Sequence, residues 1–205
     1  MASRVEGLDE KIIACAKNEF LQKGFADASL RAIAQCAGTS TSAIYIRYAD
    51  KEKMFRALVE PAVSGVRELL ERSLSGFDAQ DDAAKKSNYG EYSDEGFPAL
   101  IEFIYRYFDE FKLLAVCAPG NMYQEFLEEI SKIDTQHTMG FLKLMSGNLP
   151  TSAKVKEGFV HVVSSAFYAG VFEVVIHDMN REEAEEYIIQ LRRFYNCGWK
   201  DIFGN

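Results

Sequence analysis

Several things are missing from this 205-residue chain, and each absence removes a class of explanation. Its four cysteines (Cys15, Cys36, Cys117 and Cys197) are widely spaced and form no C-x-x-C pair, so no local zinc or dithiol signature is present. Cys15 and Cys36 fall on apolar faces of expected helices and read as reduced structural thiols. His137, His161 and His177 stand alone, without a spacing such as H-E-x-x-H, so no metal site is expected. The G-x-S-x-G, P-loop and dinucleotide-binding glycine patterns are absent too, which leaves no catalytic residue and no cofactor to nominate. The start of the chain, Met1 to Glu10, is polar and carries both signs of charge, unlike a signal peptide. No apolar run approaches the ~18 residues that span a bilayer. The reading is a cytoplasmic protein with no membrane partner.

The charge is unevenly divided. The net value of −8 looks wrong for a protein that approaches a polyanion. Residues 1–60, however, carry nine basic and eight acidic side chains, and the remainder carries 14 and 23. An acidic body repels nucleic acid, whereas a near-neutral head with clustered cations does not.

What is present is helical periodicity almost throughout. Leu8, Ile12, Ile13, Cys15, Ala16, Phe20 and Leu21 recur at three- and four-residue spacing, and this helix should stop at Lys23-Gly24. Ser29 can cap a short second helix, Ser40 a third, and Asp50 a fourth that begins at Lys51 and runs past Leu70. Pro61 predicts a kink or break in that fourth helix. Residues 76–95 are polar and aperiodic and read as a long loop. Helical pattern returns from Phe97 to just before Ala118-Pro119-Gly120, from Met122 to about Met145, from Ala153 to Asp178 and from Arg181 to about Phe203. Alternating strand patterns with hairpin turns are absent.

The informative stretch runs from Ser29 to Phe55. Two short helices joined by a tight glycine-containing turn cross steeply only if small residues meet at the crossing, and Ala34, Ala37 and Gly38 supply them. Ile33 and Ile44 can pack both helices onto the first. The second then presents Thr41, Ser42, Tyr45, Ile46 and Arg47 outward, groups suited to a major groove and its phosphate walls.

This stretch resembles the TetR family of transcriptional regulators. The matching residues are Lys23-Gly24-Phe25, Ser29-Leu30-Arg31-x-Ile33-Ala34, Ala37-Gly38-Thr39-Ser40, Ile44-Tyr45-x-x-Tyr48 and Lys51-Glu52-x-x-Phe55. Thr39 and Tyr48 stand where that family usually has valine and phenylalanine. The resemblance implies an all-α fold: an N-terminal three-helix helix-turn-helix DNA-binding domain (residues 1–50, with the start of a connecting helix, 51–74) and a C-terminal helical ligand-binding and dimerisation domain (55–205). It implies a homodimer on double-stranded DNA with a palindromic operator, usually acting as a repressor, and an unidentified small-molecule effector. By position, Tyr45 and Lys51 would contact phosphates. Thr41, Ser42 and Ala43 would face base edges beside Ile46, and Ser29 and Arg31 would touch neighbouring phosphates or the groove rim. Arg47 could reach either a guanine or a phosphate.

The body is less legible. The last two segments are the expected dimer helices, with Ala166, Ala169 and Gly170 on one and Tyr187, Leu191, Phe194 and Tyr195 on the other. Dense aromatics nominate Tyr105, Phe108, Tyr123, Phe126 and Phe167 for an effector pocket. The competing reading is a helical adaptor that uses the helix-turn-helix surface for protein contact, without DNA or small-molecule function.

Overall fold

The computed structural model describes residues 7–81, 97–145 and 155–203, and their regular structure is entirely helical. The elements are α1 (Leu8–Asp27), α2 (Leu30–Cys36), α3 (Thr41–Arg47), α4 (Lys51–Asp78), α5 (97–106), α6 (Phe108–Lys112, continued by a π-helical turn Leu113–Cys117), α7 (Met122–Met145), α8 (Glu157–Ile176) and α9 (Arg181–Phe203). They form two compact units, one of residues 1–64 with 107–123, the other of 65–106 with 124–205. Helix α4 gives its first half to one unit and its second half to the other. It continues unbroken through Pro61, where the residue is exposed, so water can satisfy the carbonyl that proline leaves unpaired. It also continues to Asp78, so the expected loop begins later than residue 76. Residues 82–96, most of that loop, lie outside the described residues.

In the first unit, Ile12, Ala16 and Phe20 recur every four residues on α1 and are fully buried. Regular helix geometry stops at Gly24 (φ 70°, ψ 174°), which turns Phe25 back onto the core. Phe25 stacks on Phe20 at 5.9 Å and meets the edge of Phe55 at 5.6 Å, while Phe20 and Phe55 pack edge to face at 5.1 Å. Ser29 caps α2 by accepting from the Ala32 amide, Ser40 caps α3 through Ala43, and Asp50 accepts from Lys53 at 2.7 Å. The α2–α3 turn is held by Gly38 at φ 66°, where the Thr39 amide donates to Ala34 at 2.9 Å. Buried Ala34 and Ala37 meet at this crossing, with Ile33 and Ile44 beneath. From residues 107–123, Phe111, Leu113 and Leu114 fill the same core, and Lys17 of α1 pairs with Asp109 (3.3 Å) and Glu110 (2.7 Å).

The reading of Cys15 and Cys36 as reduced thiols is overturned: they form a disulfide that ties α1 to the end of α2. The two cysteines are 21 residues apart, and only the crossing of the helices brings their Cα atoms to 5.9 Å, inside the ordinary range for a bridge. Cys117 and Cys197 are free thiols.

In the second unit, α8 is the central element. Val160, Ser164, Tyr168, Val171, Phe172, Val174 and Val175 are its buried residues. Phe172 packs edge to face on Phe126 of α7 at 5.1 Å. Gly65 of α4 lies under the Phe103 ring of α5, so closely that a Cβ there would sit 2.2 Å from it. Asn180 and Glu183 cap α9 reciprocally, each side chain accepting from the other's amide (3.0 and 2.9 Å). With a mean hydropathy of 1.8 and only two acidic residues, Glu157 and Glu173, α8 is also long and apolar enough to cross a bilayer by length and composition alone. The expectation that no segment reaches that length is corrected here; the apolar character of α8 serves a buried face in this unit.

A bridge closing a loop of 21 residues stabilises by about 3 kcal/mol on chain-entropy grounds. Reduction with dithiothreitol, or Cys36→Ser, should therefore lower the unfolding free energy of the first unit by about that amount. Urea titrations with and without reductant measure it; identical midpoints would mean that the bridge does not form in solution.

Candidate nucleic-acid interface and a cavity in the second unit

Helix α3 is two turns long, and almost nothing about its sequence alone would hold it in place. Its position comes from Ile44, buried beneath it, from the Ser40 cap, and from the small-residue crossing with α2. What this leaves outside is unusual for a monomer surface. Tyr45 is 54% exposed and Ile46 83%, both large and partly apolar, beside exposed Ser42 and half-buried Thr41 and Ala43. Ser29, the cap of α2, and Arg31 on that helix are exposed. Glu19 joins this surface together, since it accepts from the Ser29 amide at 3.1 Å and pairs with Lys23 at 2.8 Å. The Lys23 ammonium and that amide together hold the Glu19 carboxyl below its ordinary value.

Two candidate cations are engaged within the protein. Arg47 pairs with Asp9 and donates to the Ala43 carbonyl at 3.0 Å. Lys51 donates to the carbonyls of Ala26 (3.0 Å) and Ala28 (3.1 Å), with its ammonium 4.7 Å from the centre of the Phe25 ring. Lys51 therefore fixes the α1–α2 connection, and an ammonium with three donors keeps one more for an outside acceptor.

The second unit holds a partly open cavity of about 170 Å³ between α4, α5, α7, α8 and α9. Its walls are apolar and aromatic, with Leu70, Phe97, Phe141, Phe167 and Trp199 among them. Phe167 meets Tyr195 edge to face at 5.0 Å. Two charged residues reach it, Asp134 from α7 and Arg192 from α9. Asp134 accepts from the hydroxyls of Ser164 and Tyr168, both buried, the latter at 3.5 Å. Burial pushes its carboxyl above the ordinary 3.8, against the lowering effect of Ser164, His137 and Tyr168. Burial, with the Asp134 charge, raises the Tyr168 phenol well above its ordinary value. Arg192 rests on the Phe97 ring at 4.5 Å, and burial lowers its guanidinium from the ordinary value.

Of the five residues nominated for an effector pocket, Phe167 lines this cavity. Tyr105 instead donates to the carbonyls of Met179 (2.7 Å) and Asn180 (3.0 Å), clasping the α8–α9 turn, and Phe126 is buried against Phe172. Phe108 and Tyr123 fall in the first unit, and the helix expected from Phe97 to just before Ala118 is interrupted at Tyr107 (φ −116°, ψ 33°). The cavity's polar residues were legible in outline only. Asp134 lies on the stripe Phe126, Ile130, Phe141, and Arg192 lies on the stripe Ile188, Tyr195, Trp199, each a charge where helical spacing calls for an apolar side chain.

The dimer candidates divide similarly. Gly170, Tyr187 and Leu191 join α8 to α9 within the chain: the Tyr187 hydroxyl donates to the Gly170 carbonyl at 2.9 Å, and Leu191 sits 3.1 Å from where a Gly170 Cβ would be. Tyr195 lines the cavity and Ala169 is half-buried. Ala166 and Phe194 are exposed. The surplus apolar surface expected on α8 includes Val162, which is exposed; sequence reasoning missed the exposed Phe159 on α8 and Ile189 on α9. No group of metal-ligating side chains occurs among the described residues.

Residues 12–58 match the family model of bacterial regulatory proteins, tetR family. No curated protein matches the chain. Solved structures do so over nearly the whole length. They include a transcriptional regulator from Aquifex aeolicus VF5 (16% identity over 93% of this chain and 99% of that one, TM-score 0.61). A TetR-like transcriptional regulator from Rhodococcus sp. RHA1 matches at 16% identity over 97% of each chain, with a TM-score of 0.55. NalD, the secondary repressor of the MexAB-OprM multidrug efflux pump in Pseudomonas aeruginosa, matches at 16% identity over 92% and 96%, with a TM-score of 0.56. At these identities the likeness is one of fold.

The Asp134 carboxyl yields a stability prediction. Its folded value lies above its unfolded one, so the native state loses stability as pH rises from the ordinary 3.8 through the folded value. Asp134→Asn removes that cost while keeping the shape. The variant should be more stable than the parent at neutral pH, and the difference should vanish as pH falls towards the ordinary carboxyl range. A constant difference across that range, in urea titrations at several pH values, would contradict it.

Proposed function

With residues 12–58 taken as the DNA-binding domain of the tetR family of bacterial regulatory proteins, we propose that this protein is a cytoplasmic, ligand-responsive transcriptional repressor that binds a palindromic operator as a homodimer. The observation that carries the reading is the exposure of Tyr45 and Ile46, with Ser42, on a short helix whose other face is pinned by Ile44. Thr41, Ser42 and Ala43 face base edges in this reading, and Ile46 contacts a thymine methyl or the groove wall. Tyr45 and the remaining Lys51 donor take phosphates, with Ser29 and Arg31 at the groove rim. Arg47, engaged by Asp9, orients α3 rather than reading a base.

The dimer forms through α8 and α9. Phe159, Val162 and Ala166 on one and Ile189 and Phe194 on the other are left exposed by the chain's own packing, with Val162 64% and Phe194 75% accessible. A two-fold arrangement places two recognition helices on successive major grooves, which is why the operator is palindromic. The effector enters the cavity. Leu69, Leu70, Ser73 and Leu74 of α4 line it, and the first half of the same helix carries Phe55 into the aromatic core of the DNA-binding unit. Occupancy thus acts on α4, and a coupling of about 1–3 kcal/mol changes operator affinity by roughly 5–150-fold.

Selection of bound fragments from random double-stranded DNA tests the reading directly: a palindromic motif is expected. Recovery of no enriched sequence by folded protein at low salt would favour an adaptor that contacts other proteins through α3. Tyr45→Phe should weaken binding roughly two- to tenfold on all sequences, the worth of one hydrogen bond, whereas changes at Thr41 or Ser42 should shift the preferred sequence. Phe194→Glu should convert a dimer into a monomer in light scattering and abolish tight operator binding; an unchanged mass would remove α9 from the interface.

A further inference from the structure

The cavity in the second unit is not a generic apolar hole, and the one acid that lines it, Asp134, narrows what it can hold. At about 170 Å³ it has room for a single aromatic ring with a short chain, since a cavity of roughly 150 Å³ accepts benzene. Phe97, Phe141 and Phe167 supply ring faces and edges for such a group. Asp134 sits among them with its carboxylate fixed by two hydroxyl donors, Ser164 and Tyr168. Both hydroxyls are themselves buried and both donate to Asp134, so the carboxylate is held as an acceptor. A carboxylate has about four acceptor positions, so acceptor capacity remains after the two hydroxyls are counted. His137 also lines the cavity, and its charge favours the ionised form of that carboxylate.

We propose that the cavity binds a small cationic amphiphile, an aromatic ring on a short alkylammonium chain, with the ammonium on Asp134 and the ring among Phe97, Phe141 and Phe167. The proposal rests on the reading of this cavity as the effector site and specifies its chemistry. The ammonium both donates to the open carboxylate positions and neutralises the charge, which a neutral hydroxyl cannot do. An anionic ligand would find Arg192, but it would bring a second negative charge into a small cavity that already holds Asp134. The guanidinium of Arg192 is also already placed on the Phe97 ring. The surrounding charge points the same way, with 23 acidic against 14 basic residues beyond residue 60.

The test uses three probes of nearly equal size: 3-phenylpropylamine, 3-phenylpropan-1-ol and 3-phenylpropionate. Trp199 is the chain's single tryptophan and lines the cavity, so its fluorescence reads occupancy in the intact protein without any DNA. The amine is expected to bind at least tenfold more tightly than the alcohol and the acid. Asp134→Asn should erase that preference, bringing amine and alcohol within about twofold, while Arg192→Gln should leave it intact. A ranking with the acid first, equal binding of amine and alcohol, or no binding of any probe at millimolar concentration would overturn the proposal. The wild-type ranking alone decides the matter if a variant fails to fold. Failure of the regulator reading is seen separately: tight amine binding with no change in operator affinity would refute ligand control of DNA binding and leave the ligand chemistry standing.

Discussion

Everything in the first unit depends on how closely α2 and α3 can cross. Two seven-residue helices have too few internal hydrogen bonds to persist alone, so each must borrow order from what it touches. The crossing works because Ala34 and Ala37 have no bulk to separate the axes and Gly38 adopts a left-handed turn that other residues resist. Ile33 and Ile44 can then both reach the core built by Ile12, Ala16 and Phe20 of α1. The aromatic group Phe20, Phe25 and Phe55 closes the base of this arrangement and fixes where α4 begins. The exposed face of α3 is a by-product of that packing: with Ile44 inside, helical spacing forces Tyr45, Ile46 and Ser42 out.

The second unit follows a different logic. Its central helix is apolar on more than one face, so part of its surface covers the core and part faces outward at Phe159 and Val162. Inside, ideal packing is given up around Asp134. A carboxylate among phenyl rings is a cost to stability, and groups of that sort persist in proteins where a ligand, rather than the fold, sets the requirement. The same holds for Arg192 on the opposite helix, whose guanidinium covers Phe97.

The contrast between the units explains what could be read from the chain. The caps Ser29, Ser40 and Asp50, the turn at Gly38 and the stop at Gly24 are local signals, each a residue type within four positions of its effect, and all are found in the structure. The Cys15–Cys36 bridge is a long-range event with no local mark, because thiols 21 residues apart meet only once α1 and α2 have crossed. The cavity is harder still. Its lining comes from five helices, and the aromatics that look most like a pocket go elsewhere: Tyr105 clasps a turn, Phe126 is core, and Phe108 and Tyr123 belong to the first unit. Nothing in the sequence marks Tyr107 as a break, and that break divides the aromatic run between two units. The charges on apolar stripes at Asp134 and Arg192 were the better clue.

The outward ridge of Phe159, Val162, Ile189 and Phe194 has a consequence beyond geometry. In the dimer proposed above a second copy covers that face, so folding becomes a bimolecular equilibrium and the stability of the native state depends on how many copies are present. Each tenfold dilution subtracts about 1.4 kcal/mol from the dimer's margin over separated, unfolded chains. A cell that makes little of this protein would hold more of it unfolded and exposed to proteases, which sets a floor on abundance that has nothing to do with any operator or ligand.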